Sequence, residues 1–470
     1  MSKHFVVIGG GLVGSVLACF LAKRGHTISV YERRPDMRKA GYIGGRSINL
    51  ALSNRGWAAL DKIDMRERIE KISLPMAGRM VHNVDGNTAF IPYGKEGQAI
   101  YSVSRGDLNI ELINEAEKSK GVKFFFDEQC SHIDFDKNTV QLFNTNTKQT
   151  TTVSGDYIFA SDGAFSAVRY EMQKTPQFDF SQAYESYGYK ELTIPAGPNN
   201  TWNIDKGTLH IWPRGSFMMI ALPNIDGSFT CTLFASYKGE NGFDRLNTEK
   251  DVEEFFQVNF PTALKHLPDL KKDFFANPTG ALVTMRCFPW VYKNTALIGD
   301  AAHALVPFFG QGMNCGFEDV RILDELLDET NENWAEALDK YQHSRKPNAD
   351  AIADLALYNY IEMRDLSGQP EFQLRLKIEK MIAASFPDKF STAYSMVTFN
   401  DNTPYADAQR KAKEQSELLN EIMLLDNIAE RWDGPEVIDM AGKWIKDHLS
   451  QPSPKEHMRQ VKWFIKSFKR

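Results

Sequence analysis

Six consecutive residues near the N-terminus constrain this chain more than any other feature. Gly9-Gly10-Gly11-Leu12-Val13-Gly14 satisfies G-x-G-x-x-G, follows the apolar run Phe5-Val6-Val7-Ile8, and opens an apolar-periodic stretch from Val13 to Leu21. Strand, tight turn and helix are expected in that order. Each glycine has a physical purpose: Gly9 makes the turn, Gly11 lets a pyrophosphate approach the backbone, and Gly14 lets helix and strand pack closely. The helix start then offers unpaired N–H groups and the positive end of its dipole to an anion. Arg24-Gly25-His26 ends the helix, and Thr27-Ile28-Ser29-Val30-Tyr31 supplies a second strand. Glu32 at its end, about twenty residues beyond the glycines, can accept hydrogen bonds from ribose hydroxyls. A bound dinucleotide is the expectation. This motif leaves open whether it is FAD or NAD.

Two later segments bear on that choice. Asp156-Tyr157-Ile158-Phe159-Ala160 runs into Ser161-Asp162-Gly163 and then Ser166-Ala167-Val168-Arg169, and Thr295-Ala296-Leu297-Ile298 runs into Gly299-Asp300-Ala301-Ala302-His303. Each puts an aspartate at the carboxyl end of a strand, where open α/β sheets bind ligands, so Glu32, Asp162 and Asp300 are expected to converge on one crevice. A second aspartate suits a second polyhydroxy chain such as the ribityl of FAD.

Length and composition narrow the class. A chain of 470 residues exceeds what one core usually organises, so two or three interlocked domains are expected. The net charge of −6 is interspersed, without the Lys/Arg block of a nucleic-acid binder, which favours a small-molecule partner. Cys19, Cys130, Cys231, Cys287 and Cys315 are odd in number and far apart, against a disulfide framework or a zinc site, and no metal is expected. Neither a signal peptide nor a transmembrane anchor is evident, and a cytoplasmic location is expected.

The middle of the chain reads differently. Leu209 to Trp212, Phe217 to Leu222 and Ser228 to Phe234 are strand-like, separated by Pro213-Arg214-Gly215 and Asn224-Ile225-Asp226-Gly227, which are turns between antiparallel strands. On the second and third strands, Ile220 and Leu222 share a face, as do Thr232 and Phe234, so a hairpin would make one apolar wall. From Asn314 onward the pattern is mostly helical, with Pro347 placed where a helix can begin. The expected class is α/β: a Rossmann-like FAD-binding domain (1–75, 100–180 and 285–330), an inserted antiparallel sheet domain for substrate (76–99 and 181–284), and a C-terminal helical region (331–470). Near the end, Met458, Val461, Phe464, Ile465 and Phe468 form an apolar stripe among lysines and arginines, expected to pack on the body of the protein.

The combination of G-x-G-x-x-G, Asp162-Gly163 followed by Ser166-x-Val168-Arg169, and Gly299-Asp300-Ala301-Ala302-His303 with Pro307 resembles the single-component FAD-dependent aromatic hydroxylases related to p-hydroxybenzoate hydroxylase. Ala160 and Ser161 depart from that family's pattern, which leaves open how the reductant uses this segment. Further stretches resemble the kynurenine-hydroxylating branch: Gly45 to Leu52, Gly78-Arg79-Met80-Val81-His82, Gly188 to Leu192, Leu209 to Pro213, Val306 to Asn314, and Tyr394 to Phe399. The similarity reaches to about Tyr405.

This resemblance implies hydroxylation of L-kynurenine with NADPH and O2 through a flavin C4a-hydroperoxide on non-covalent FAD. It implies a cofactor set of Gly9, Gly11, Val13, Gly14, Glu32, Arg33, Arg34, Ala51, Arg105, Asp162, Asp300, Gly312, Met313 and Asn314. It implies a substrate set of Arg79, Tyr93, Asn359 and Tyr394 for the amino-acid carboxylate, with Glu362 beside Asn359. Leu209, Ile220, Leu222, Thr232, Phe234, Pro307, Phe308 and Phe309 would line the ring. Arg79 suits a carboxylate because a guanidinium grips it through two charge-assisted bonds. Asn359 and Glu362, three apart, would share a helix face. His303 is assigned a structural place after Asp300, and no residue is assigned catalysis, since the flavin carries the hard step. A hydroxylase of a phenol or aryl carboxylate, and a non-catalytic FAD-binding regulator, are the alternatives. Oligomeric state is not legible.

Overall fold

The computed structural model describes residues 2–40, 49–366 and 369–449. The apolar run at the N-terminus becomes the strand His4–Ile8, and the segment after the glycines becomes the helix Leu12–Lys23, buried from Val16 to Leu21. Gly25, at φ +80, turns the chain into the strand Thr27–Glu32. These strands are the centre of a six-stranded sheet ordered Val291–Tyr292, Thr295–Leu297, Tyr157–Ala160, His4–Ile8, Thr27–Glu32, Val122–Phe126. All pairings are parallel except that of Val291–Tyr292 with its neighbour. Three chain segments, widely separated in sequence, therefore end at the same edge, just before Gly9, Ser161 and Ile298. Phe5, Val6, Val7, Ile158 and Phe159 are fully buried beneath that edge, so core packing holds the register.

A seven-stranded sheet is ordered Gly280–Phe288, Asp179–Ile194, Phe229–Ser236, Met218–Pro223, Thr208–Pro213, Gly78–His82, Thr88–Pro92. The expected hairpins are present: Ile220 pairs with Thr232, and Ile211 with Ile220. The sheet is antiparallel except where Gly78–His82 runs parallel to Thr208–Pro213, with Arg79 opposite Leu209. Alternation gives it two unlike faces. Trp212, Met219, Cys231 and Leu233 pack on one side against Val252, Phe256, Phe260 and Phe274 of a helical layer. Ile211, Met218 and Phe234 pack on the other against Phe308, Leu355, Tyr360 and Met396.

The helix Gly312–Glu329 packs against the helices Leu12–Lys23 and Asn54–Lys62, and Trp334–Ile361 follows it. Pro347 does not start that helix, as its sequence position suggested, but sits in its interior. The missing N–H and ring clash ordinarily break a helix. Here Leu338 and Tyr341 before the proline and Ile352 and Ala356 after it are fully buried, and burial on both sides carries the helix through. A π-helical turn, Glu362–Leu366, comes directly after it. Beyond Tyr405 the helices Tyr405–Met423 and Pro435–Leu449 share a separate core with Pro370–Ser385, through Ile378, Ile382, Phe390, Leu418 and Ile445. Among the described residues no helix is long and apolar enough to cross a membrane. The five cysteines are buried and unbridged. The sequence stretch Gly45 to Ile48 and the apolar stripe from Met458 to Phe468 lie outside the described residues.

Candidate active site

The parallel edge forms a cradle. Gly9, at φ +100, makes the first turn, and a Cβ on Gly14 would lie 2.0 Å from the Gly9 carbonyl oxygen, so neither position accepts a side chain without displacing backbone. A Cβ on Gly11 would meet nothing within 4 Å: the space before this helix start is open. The helix has no side-chain cap and no acidic residue in its first turn. A phosphate is the natural partner for N–H groups left in that state. The Glu32 carboxylate accepts from the Gly10 N–H at 2.9 Å and the Arg34 N–H at 3.0 Å, which fixes it facing the same opening. The side chains of Arg33 and Arg34 are exposed on the rim beside it. Val13 is different, because a Cβ built on Gly316 would stand 2.6 Å from its Cγ2. Its side chain wedges two segments together, leaving backbone as its contribution to a ligand.

Asp300 begins the short helix Asp300–His303 after Gly299, at φ +62. Burial pushes the Asp300 carboxyl above the ordinary carboxylate range, opposed by the positive charges of Arg105 and His303. Arg105 opens the helix Arg105–Ala116 across the cleft. Asp162 is partly consumed locally: its Oδ2 accepts the Ala167 N–H at 2.7 Å at the start of the helix Ala167–Met172.

The helix Gly312–Glu329 presents a second open start. It too lacks a side-chain cap and first-turn acid, and a Cβ on Gly312 would meet nothing within 4 Å. Asn314 is fully buried and spent on structure, donating to the Ala51 and Gly310 carbonyls at 2.8 Å and accepting the Ser53 N–H at 3.0 Å. Its side chain thus pins the strand Asn49–Leu52 to the helix start, beside the Met313 backbone. Two uncapped helix starts facing open space, with Glu32 ending and Asp300 following strands on either side of His4–Ile8, fit a dinucleotide carrying an electron-poor ring.

Facing the second helix start is a cluster of rings around one cation. The Arg79 guanidinium carbon lies 5.4 Å from the Tyr93 ring centroid and 5.1 Å from that of Tyr394. The two phenol rings stack at 5.1 Å and 11°, and Phe309 stacks on Tyr394 at 5.5 Å. Burial works against the Arg79 charge, but Tyr93, Tyr394 and the Glu362 carboxylate outweigh it and hold its pKa above the ordinary value. Glu362 is pushed up by burial and pulled back by Arg79 and Arg375. Glu379, on Pro370–Ser385, is raised to about 7 by burial and by Glu362.

The wall beside Arg79 is apolar. Leu209 and Ile220 are half-buried, and Leu222, Thr232 and Phe234 are buried. Phe308 meets Phe234 at 5.0 Å and stacks on Tyr360 at 3.9 Å, while Pro307 is exposed at the rim. Asn359 sits in the last turn of Trp334–Ile361, and Glu362, still α-helical at φ −57 and ψ −51 with its N–H directed to the Tyr358 carbonyl, follows three residues on along the same helical turn. The π-turn that starts at Glu362 rotates only the side chains beyond it about the helix axis. The Asn359 Nδ2 donates to the Phe308 carbonyl at 2.6 Å and lies 3.5 Å from Met363 Sδ. Contrary to expectation, its amide nitrogen is committed to the Pro307–Phe309 turn, and what it offers a ligand is the acceptor Oδ1.

Beneath both regions runs an ionic network that sequence reading missed. Arg55 and Asp319 are fully buried, and Glu318, Arg345 and His303 nearly so. Glu318 accepts from Arg55 at 2.5 Å and Arg345 at 2.7 Å; Asp319 accepts from Arg345 at 2.7 Å and the Gly299 N–H at 3.2 Å, and pairs with His303 at 2.5 Å. Burial opposes the His303 charge, but Asp319 overcomes it and holds the imidazole well above its ordinary pKa. The ring is held between Asp319 on Nε2 and the Cys315 Sγ, at 3.9 Å, on Nδ1, a structural arrangement. The available signal was Glu318-Asp319 set between Phe317 and Val320 on the buried side of a helix, where unpaired charge is not tolerated.

Residues 3–356 match the family model described as FAD binding domain. The kynurenine 3-monooxygenase of Flavobacterium johnsoniae is 47% identical over 437 residues, covering 93% of this chain and 97% of that protein. Those of Dictyostelium discoideum and Sus scrofa are 44% and 43% identical, covering 90% and 88% of this chain and 94% and 87% of their own lengths. Among solved structures, 2-methyl-3-hydroxypyridine-5-carboxylic acid oxygenase superposes with a TM-score of 0.64 at 20% identity, covering 78% of this chain and 94% of that one. Pseudomonas aeruginosa PqsL, in complex with 2-aminobenzoylacetate, gives 0.62 at 17% identity, covering 78% and 97%. At these identities the superpositions speak to fold alone.

Proposed function

This chain belongs to the kynurenine 3-monooxygenase family of FAD-dependent hydroxylases, and from that membership we propose that it converts L-kynurenine to 3-hydroxy-L-kynurenine using NADPH and O2. Family membership favours this over hydroxylation of a phenol or aryl carboxylate, and over a non-catalytic FAD-binding role. The observation that carries the substrate reading is Arg79 beside the stacked pair of Tyr93 and Tyr394 at the end of an apolar wall. A simple aromatic ring needs the wall; an aromatic amino acid needs the cation as well.

Bound FAD supplies the chemistry this chain lacks, accepting hydride from the nicotinamide and activating oxygen for transfer to an electron-rich ring. Gly9, Gly11 and Gly14 admit the pyrophosphate to the helix start, Glu32 takes ribose hydroxyls, and Asp300 takes the ribityl chain. Arg33, Arg34, Ala51, Arg105 and Asp162 complete the margin, and the N–H groups of Gly312, Met313 and Asn314 favour negative charge at the flavin edge. Arg79 grips the substrate carboxylate, with the Tyr93 and Tyr394 hydroxyls beside it. The acceptor Oδ1 of Asn359 and the carboxylate of Glu362 match the α-ammonium. Leu209, Ile220, Leu222, Thr232, Phe234, Pro307, Phe308 and Phe309 hold the ring and exclude water, which limits loss of activated oxygen as hydrogen peroxide. The division into FAD-binding, sheet and C-terminal helical domains and a cytoplasmic place of action belong to the same reading. Anaerobic flavin reduction by NADPH, followed at 450 nm with and without L-kynurenine, tests cofactor, reductant and substrate together. Absence of flavin, or reduction and turnover indifferent to kynurenine, would refute it.

A further inference from the structure

The helix Ala393–Thr398 carries Tyr394, and the helix Gly312–Glu329 opens toward the flavin; the two are joined through one side chain. Arg55 is fully buried on Asn54–Lys62. Its Nε donates to the Val397 carbonyl at 2.8 Å, and one terminal nitrogen donates to the carbonyls of Thr403 and, at 3.1 Å, Asn400, with Met396 O at 3.4 Å. These are the orphan carbonyls of a helix end and the loop after it, the place where a cation is best received. The other terminal nitrogen donates to Glu318 Oε1 on the flavin-facing helix. The guanidinium lies 3.9 Å over the Tyr405 ring, and the Tyr405 hydroxyl donates to Gln311 Oε1 at 2.9 Å, one residue before that helix begins. Asn54 adds a bond from Nδ2 to the Phe399 carbonyl at 2.9 Å. Glu318 and Arg345 continue the tie to Asp319 and so to Gly299, the residue before Asp300.

We infer that Arg55 is a positioning residue that sets the register between Tyr394 and the flavin-binding helix, and so between the substrate ring and the oxygen it receives. It touches neither substrate nor flavin; it fixes the two elements that do. No other standard side chain offers this planar set of donors, so lysine at this place reaches either the carbonyls or Glu318 but not both. Slack between the elements does not remove Arg79 or the apolar wall, so substrate still binds. The transfer geometry suffers instead, because a displacement of about 1 Å at a reacting centre can cost on the order of a hundredfold in rate.

This inference rests on the reading of Tyr394 as a substrate contact and Gly312 to Asn314 as a flavin contact. The test uses Arg55→Lys in the full chain loaded with FAD, with three readouts: FAD per chain, L-kynurenine affinity by equilibrium dialysis, and 3-hydroxykynurenine formed per NADPH oxidised. FAD content and affinity are expected within about threefold of wild type, and product per NADPH is expected to fall about tenfold, with the difference appearing as hydrogen peroxide. A merely structural role would lower folded protein and flavin together and leave the coupling of the surviving holoenzyme unchanged. Wild-type coupling in Arg55→Lys holoenzyme overturns the inference. Should that variant retain no flavin, Tyr405→Phe decides, since it removes only the hydroxyl bonded to Gln311: a loss of coupling of about two- to fivefold supports the tie, and unchanged coupling overturns it. A wild-type chain that makes no hydroxylated product refutes the functional reading, and the tie with it. A wild-type chain that couples, with variants that couple equally, refutes the tie alone.

Discussion

Replacing Arg79 by alanine tests the substrate reading most directly. The cation lies 5.4 Å and 5.1 Å from two phenol centroids in a site where Leu222, Phe234 and Phe308 are all less than a tenth exposed. A carboxylate brought there has lost much of its hydration, and removing its partner leaves it paired only with hydroxyls. Truncating one member of a desolvated charge pair costs roughly 2–5 kcal/mol. At about 1.4 kcal/mol per decade, the L-kynurenine dissociation constant should rise by roughly 30- to 4,000-fold. The protein itself loses stability as well. Two cation–π contacts, at about 2 kcal/mol each in a desolvated site, are removed, and the resulting fall in unfolding temperature is a few degrees for a chain of this size. Flavin content should not change, because Arg79 lies on the seven-stranded sheet and the cradle on the other. Kynurenine titration into the holoprotein, read by flavin absorbance and checked by equilibrium dialysis, gives the number. Wild-type affinity with full flavin occupancy would show that the carboxylate is held elsewhere.

Asp300→Ala should lose most of its FAD on dialysis, seen as a fall in the ratio of flavin to protein absorbance, while circular dichroism stays close to wild type; full retention would remove Asp300 from the cofactor site. Gly14→Ala should yield flavin-free or insoluble protein, since its Cβ would lie 2.0 Å from the Gly9 carbonyl oxygen; normal flavin loading would contradict the close packing described. Glu379, raised from 4.5 to about 7, holds its proton in the folded state at pH values where the unfolded chain has released it, so it lowers stability progressively as pH rises from about 4.5 to 7 and by a constant amount above. Glu379→Gln should therefore unfold at a higher temperature than wild type at pH 8 and show little advantage at pH 4.5; a gap that does not grow across this window would count against it.

Where sequence reading succeeded, the physics was local. Strand, glycine turn, helix and acid come in order within residues 5–32, and each step is fixed by sterics that no distant contact overrides. The hairpins of the second sheet were readable because turn residues punctuate alternating runs. Pro347 misled because propensity is a local rule, while burial of Leu338, Tyr341, Ile352 and Ala356 is decided by the whole fold. The π-turn Glu362–Leu366 is not legible in sequence because such a turn has no compositional mark. Asn359 was placed near the substrate region, yet its bond to the Phe308 carbonyl, 51 residues away in sequence, could not be read from spacing. The same holds for Arg55, whose acceptors lie 263 to 348 residues further on.

The two-faced sheet has a consequence for how such proteins diversify. Leu209, Ile220, Thr232 and Phe234 stand on a layer whose reverse side is sealed by Phe256, Phe260 and Phe274, so a larger side chain there has nowhere to retreat. Opposite them stand Phe308, Phe309 and Tyr394, on short segments that end within a few residues. A lineage adapting to a bulkier ring would find its workable mutations on the second side and lethal ones on the first. Libraries randomised separately at the two sets and selected only for flavin retention should differ sharply in survivors, with the sheet positions returning small or isosteric residues and the turn and helix positions returning many kinds.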